Sequence, residues 1–265
     1  MTTTVPAVRP RRVPAAAPLA LAVVLVLTAI AYPLTSGGGR NAVSWAIVLL
    51  GATLSVVHAW LARGARTGAG VLVLVAATAV AFEAVGLATG FPYGRYSYAG
   101  TLGPTVLGVP FLVPLAWLMM AWPCWVLADR LAGPRRVARV ATAAGLFAGW
   151  DVVLDPQMVQ AGYWTWAHPR PGLPGISTVP LSNLGGWLLA GAVLMTLLDV
   201  LVARTAVAGP PRIGDAAPLL ALAWMTLGGA LAHAGWLGLP GSAAWGAALA
   251  APVLVVLVRR RWAHR

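Results

Sequence analysis

The sequence predicts an all-α fold, a polytopic membrane helix bundle with about eight transmembrane helices. Three observations predict it. Of 265 residues, 60% are hydrophobic and 9% are charged, more apolar surface than a soluble domain can hide. The apolar residues fall into eight runs near the length needed to cross a bilayer. The basic residues, all 18 of them arginine, cluster beside those runs, on one side far more than on the other.

The runs follow in order. The first, 16–34, comes after Arg9, Arg11 and Arg12. At about 20 residues it is long enough to be a retained span and not only the core of a cleaved leader. The second is 42–62. The third, 68–90, is apolar apart from Glu83. The fourth, 105–128, contains Pro110, Pro114 and Pro123, which imply kinks that neighbouring helices tolerate. The fifth, 137–154, ends beside Asp155-Pro156, and the sixth, 183–203, opens on Asn183 with Trp187 one turn later. The seventh, 216–238, carries His233 near its end. The eighth, 242–258, is divided from it only by Gly238-Leu239-Pro240-Gly241. There is no internal repeat. Residues 1–265 read as a single integral membrane domain with basic tails at 1–14 and 259–265.

The arginines orient the chain. With the N-terminus inside, the inner segments hold Arg9, Arg11, Arg12, Arg63, Arg66, Arg130, Arg135, Arg136, Arg139, Arg204, Arg212, Arg259, Arg260, Arg261 and Arg265, fifteen in all; the outer loops hold Arg40, Arg95 and Arg170. This bias predicts a multi-pass protein of the cell membrane with both termini cytoplasmic. An odd number of spans would switch the later arginines across and weaken the bias. A net charge of +12 is compatible with a nucleic-acid partner, but no soluble platform is left to carry one. The lone Cys124 excludes an intramolecular disulfide and a cysteine-cluster metal site.

The same orientation gathers the unusual residues at one depth. Glu83 falls near the outer end of its run, Asp151 and Asp155 near the outer end of theirs, and Asn183 and Trp187 in the first turns of the sixth. An ionisable group inside a span is costly and is a functional-site candidate by default. Asp151 and Asp155 are spaced i, i+4 and share one helix face, where two carboxylates cannot both ionise easily; one would keep its proton. Glu83, between Phe82 and Val85, would be desolvated and would suit a general acid. The plainer alternatives are a Glu83–Arg95 ion pair, an Asp151 paired with Arg95 or Arg170, and an Asp155 that caps a helix end. Phe91, Tyr93, Tyr96, Tyr98, Tyr163, Trp164 and Trp166 form either an interfacial belt, the reading that suits Tyr98 and Trp166 taken singly, or a wall whose ring faces stabilise a cation. Asn183 is a helix N-cap, a water-orienting amide, or both. His233 is either a packing residue or a relay; His58, His168 and His264 lie elsewhere. No spacing matches a metal site and no glycine motif cradles phosphate.

These segments resemble the membrane carotenoid-biosynthesis protein family that includes carotenoid 1,2-hydratases and bisanhydrobacterioruberin hydratases. The matching words run over about residues 80–190: Glu83-x-x-Gly86, Gly90-Phe91-Pro92-Tyr93-Gly94-Arg95-Tyr96-x-Tyr98, Leu102-Gly103-Pro104, Val109-Pro110, Pro114-x-x-Trp117, Asp151-x-x-x-Asp155-Pro156, Gly162-Tyr163-Trp164-x-Trp166 and Val179-Pro180-x-Ser182-Asn183-x-x-Gly186-Trp187. Tyr93 stands where phenylalanine is expected, and Ile176-Ser177-Thr178 where an aromatic-glycine pair is commoner. The resemblance implies hydration of the terminal double bond of an acyclic carotenoid end, lycopene-like or C50, to a tertiary alcohol. Protonation would leave a tertiary cation that water captures, with no redox cofactor and no metal. Glu83, Asp151 and Asp155 would supply the acid. Tyr93, Arg95, Tyr96, Tyr163, Trp164, Trp166, Asn183 and Trp187 would line the substrate and position water, with His233 as a relay. The partners implied are carotenoid, water, the bilayer and other enzymes of carotenoid synthesis. A carotenoid cyclase would share the acid and the cation, and a proton-coupled transporter or a scaffold for isoprenoid lipids would also place acids in spans.

Overall fold

The computed structural model describes residues 16–263; Arg9, Arg11, Arg12, His264 and Arg265 lie outside the described residues. The chain forms α1 (Ala16–Ala31), extended by a 3-10 turn at Tyr32–Leu34, then α2 (Gly37–Arg63), α3 (Ala65–Thr89), α4 (Leu112–Ala132), α5 (Arg136–Gln160), α6 (Leu181–Thr205), α7 (Ala216–Ala223), α8 (Gly229–Gly235) and α9 (Pro240–Ala263). A π-helical turn, Trp224–Gly228, joins α7 to α8. Among the described residues, seven stretches are long and apolar enough to cross a membrane, with α7–α8 counted as one of them. The expected eighth crossing, α9, is a helix of 24 residues that is not among those seven.

α4 is the axis of the bundle. Every residue from Trp117 to Ala128 is buried, as befits a helix apolar on all sides, and α2, α3, α5 and α7 pack around it. α1 is the opposite case. Leu19, Val23, Val24, Leu27 and Ile30 are exposed along it, an apolar surface suited to lipid.

Two boundaries differ from the sequence reading. Residues 105–110 are not the start of the fourth helix but a hairpin, β2 (Thr105–Val106) paired with β3 (Val109–Pro110). Leu107 and Gly108 between them both take positive φ, 51° and 81°, the conformation of a tight two-residue hairpin turn. Pro110 therefore lies in a strand and Pro114 in the first turn of α4, where no intrahelical donor is lost; Pro123 alone sits well inside that helix. At the other boundary α5 runs on through Pro156 to Gln160. Asp155 is thus inside a helix and not its cap.

The connections at one end form a second small sheet. β1 (Tyr96–Tyr98) and β4 (Trp164–Trp166) pair antiparallel, with Tyr96 opposite Trp166 and Tyr98 opposite Trp164. Side chains alternate along a strand, so the four rings share one face while Ser97 and Thr165 point away and are exposed. The opposite end of the bundle is ionic. Arg63 binds Asp129 at 3.1 Å, Arg139 and Arg136 bind Asp199 at 2.7 and 3.1 Å, and Arg130 pairs with Asp215.

Candidate active site

The six acids of the chain divide into two sets. Asp129, Asp199 and Asp215 belong to the ionic end. Among the described residues Glu83, Asp151 and Asp155 have no cationic partner, although all three are buried. The ion pairs with Arg95 or Arg170 offered as alternatives do not form. All three carboxylates line one cavity of about 300 Å³ at the end of the bundle capped by the β1–β4 ribbon.

Each carboxylate is held by neutral donors. Glu83, near the end of α3, accepts the hydroxyls of Tyr96 at 2.5 Å and Tyr98 at 2.8 Å on one oxygen. Burial first, then the charge of Glu83, pushes both phenols well above the ordinary tyrosine range, so they remain donors. Asp151 and Asp155 do share one face of α5. The side-chain amide of Asn183 bridges them, donating at 2.8 Å to Asp151 Oδ2 and at 2.5 Å to Asp155 Oδ2. Trp164 Nε1 donates to the other oxygen of Asp155 at 3.0 Å. Asn183 is two residues inside α6, whose N-cap is Pro180, so the N-cap alternative gives way to the bridging amide. Asp151 Oδ1 has no partner. Among the described residues the buried side-chain polar atoms without one are Tyr32 Oη, Asn41 Oδ1, Tyr93 Oη, Trp117 Nε1 and Asp151 Oδ1, and all but that of Asn41 belong to residues lining the cavity.

The position of Tyr93 follows from two glycines. Its ring lies between α3 and α6 at Gly86 and Gly186. A Cβ at Gly186 would stand 2.6 Å from the ring, and one at Gly86 would stand 2.8 Å from Tyr96 Oη and 3.0 Å from the Tyr93 ring. Real side chains cannot approach so closely, so both helices need glycine here. Trp187, next along α6, packs with Trp117 at 4.9 Å and Phe147 at 5.1 Å between ring centroids, which makes the floor of the cavity aromatic.

The expected wall residues Tyr93, Tyr96, Trp164, Trp166, Asn183 and Trp187 all line the cavity. Arg95 does not. It sits at the bend before β1 and is exposed. Tyr163 is buried in the core and is likewise absent from the wall. His233 stands one layer back, with its ring nitrogens against Ser242 Oγ at 2.6 Å and Gln157 Oε1 at 2.9 Å; of these neighbours only Gln157 reaches the cavity. Tyr98 and Trp166 are wall residues and not a belt. Trp166 is buried and donates to the Tyr93 carbonyl at 3.3 Å. The sequence reading gave no wall role to Trp117, which entered it only in the Pro114-x-x-Trp117 match, nor to Trp150 and Trp224, all of which line the cavity. It also missed the ribbon, which the alternation Tyr96-Ser97-Tyr98 and Trp164-Thr165-Trp166 carries at a period of two.

The cavity has an apolar mouth. Four lining residues are also well exposed: Ile30 at 43%, Leu34 at 66%, Leu231 at 64% and Trp236 at 64%. They belong to the end of α1 with its 3-10 turn and to the α8 region, so the opening lies between those elements. The π turn forms the adjoining wall with Trp224, Met225 and Gly228; single π turns recur at functional sites.

Residues 43–257, which include nearly the whole of this site, match the family described as "Carotenoid biosynthesis protein". The chain belongs to that family. Among characterised relatives, bisanhydrobacterioruberin hydratase of Haloarcula japonica is 36% identical over 134 residues, covering 48% of this chain and 44% of that protein. The chain thus matches less than half the length of that relative. No solved structure matches the chain. For this family member, the match and the seven apolar stretches together give a multi-pass membrane protein of carotenoid biosynthesis.

Proposed function

We propose that the protein hydrates the terminal double bond of an acyclic carotenoid end, giving a tertiary alcohol. One observation carries this: three buried carboxylates without cationic partners line a single aromatic-walled cavity whose mouth is apolar. A salt-bridged structural core would pair them with arginine, as Asp129, Asp199 and Asp215 are paired at the other end. The name of the partial relative, a hydratase, supports water as the second reactant.

Asp151 Oδ1 is buried without a partner, and the proton sits there. It passes to the less substituted alkene carbon and leaves a tertiary cation. Ring faces of the tryptophans stabilise that cation. Glu83, held by two phenols, and Asp155, whose two oxygens already accept from Trp164 and Asn183, supply the opposing negative charge. Water adds to the cation and a proton returns to Asp151, so the acid is regenerated. This scheme needs neither metal nor redox cofactor. The cavity lies at the small end of the usual ligand range of about 300–1,000 Å³, so it takes the end group. The rest of the polyene leaves through the Leu34–Leu231 mouth into lipid.

The arginine distribution supports cytoplasmic termini and a cavity toward the outer face, within one membrane domain. Expression in a lycopene-accumulating bacterium tests the function. A pigment heavier by one water supports it. A new pigment of unchanged mass would indicate a cyclase, and unchanged lycopene beside membrane-inserted protein would favour a transporter or scaffold.

A further inference from the structure

Hydration joins two reactants of opposite character, and the wall of the cavity suggests a separate approach for each. Behind the carboxylate pair lies a second, smaller cavity of about 10 Å³. It shares Asp151 and Asn183 with the large cavity and no other residue. Its remaining walls are Val152, Leu184 and the 173–180 segment. A space of roughly 10–15 Å³ holds one water, provided that polar partners surround it. Those partners exist. Asp151 Oδ1 is unpartnered, Asn183 adds its amide, and Pro156 offers no N–H to the carbonyl of Val152, which so lacks its usual helical donor. On the far side Ile176, Val179 and Pro180 are buried, whereas Pro174, Gly175, Ser177 and Thr178 around them are exposed. The large cavity, by contrast, opens through an apolar mouth.

We propose that substrate water reaches Asp151 through this small cavity, from the 173–180 side, while the hydrocarbon arrives through the lipid-facing mouth. The proposal rests on the hydratase reading above. It makes Val179 a residue that controls one reactant without touching the other.

The chemistry supplies a selective readout. Asp151 gives its proton to the alkene and becomes a carboxylate. Normally the water oxygen forms a bond to the tertiary carbon and then loses a proton to that carboxylate. If no water is delivered, the cation loses a proton from an adjacent carbon to the same carboxylate, and an alkene is regenerated. In D2O the deuteron given by Asp151 stays on the carotenoid whenever the cation loses a protium, from the same carbon or from a neighbouring methyl, in its place.

The experiment compares wild type, Val179→Ile and Val179→Ala in membranes equilibrated in D2O and supplied with an acyclic carotenoid. Alcohol formed and deuterium in the recovered carotenoid are both measured by mass spectrometry, at matched protein levels. One added methylene fills the small cavity. Val179→Ile should therefore lower alcohol formation about tenfold or more, the scale expected when one reactant loses its position, while in a single turnover, with protein in excess of carotenoid, the deuteron already carried by Asp151 still enters the recovered carotenoid. Val179→Ala, which widens the space, should hydrate at least as fast as wild type. The proposal is overturned if Val179→Ile hydrates like wild type, or if it loses hydration and deuterium exchange together. Wild type that forms no alcohol at all would sink the hydratase reading instead.

Discussion

Three acids and their donors set what the site can do. Asp151→Asn keeps the size and the Asn183 contact but removes the transferable proton. General acid catalysis contributes about a hundredfold to ten-thousandfold, and a loss of that order in alcohol formation is expected at unchanged protein level. Full hydration by Asp151→Asn would refute the assignment of the acid. Asp155→Asn should also slow the reaction, and the double variant should be little worse than Asp151→Asn alone, because residues that act as one unit are not additive. Tyr98→Phe leaves Glu83 with one phenol. A hydrogen bond to a charged group contributes about 1.5–3 kcal/mol, so the rate should fall ten- to a hundredfold, with the protein still folded in the membrane. The acids were legible in the sequence because charge inside an apolar run has few innocent explanations. Tyr98 and Trp166 were less legible, since an aromatic near a membrane boundary has a common structural use. Their roles became visible only when β1 paired with β4 and brought Tyr98 onto Glu83 and Trp166 onto the Tyr93 carbonyl.

At the scale of elements, long apolar runs were easy to read because crossing a bilayer demands them. Short structure at the ends was not. The β2–β3 hairpin lies in a stretch as apolar as the helix it precedes, so composition could not separate them; the Leu107-Gly108 turn is the local clue. Pro156 looked like a helix end, yet α5 continues because packing against α6 and α9 outweighs one lost backbone bond. The fit of α6 against the Tyr93 segment gives a sharp comparison between neighbours. A Cβ at Gly186 would meet the Tyr93 ring at 2.6 Å, whereas one at Gly185 would meet nothing within 4 Å. Gly185→Ala should be neutral or stabilising by up to about 1 kcal/mol through helix propensity. Gly186→Ala should cost about 1–3 kcal/mol by overpacking and should lower activity by displacing Tyr93. Thermal unfolding in detergent together with a pigment assay decides this; equal behaviour of the two variants would show that Tyr93 is not held as described.

The whole molecule separates stability from chemistry along its length. At one end Asp129, Asp199 and Asp215 are neutralised by arginines that bind helix ends together. At the other, three acids are left to neutral donors around a cavity. This polarity makes substitutions at the two ends differ in kind. Asp199 is buried and pairs with Arg139 at 2.7 Å and Arg136 at 3.1 Å. Asp199→Asn leaves the mostly buried Arg139 without its main counter-charge and should cost on the order of 3 kcal/mol. The hydration rate per folded molecule should stay unchanged. Glu83→Gln should do the reverse, sparing stability and lowering the rate. A purely structural bundle would lose stability at both positions and show no such reversal. The same polarity bears on orientation. The arginine-rich end holds Arg63, Arg66, Arg130, Arg135, Arg136, Arg139, Arg204 and Arg212, and the rule that places arginine inside counts basic residues and not net charge, so the aspartates paired there do not cancel the signal. A reporter inserted at Arg135, between α4 and α5, should therefore be active only in the cytoplasm, and one inserted at Ser177, beside the proposed water entry, only outside. If the two reporters were active on the same side, the two-ended architecture would fail. If they were active on opposite sides but inverted, the architecture would stand with its cavity facing the cytoplasm.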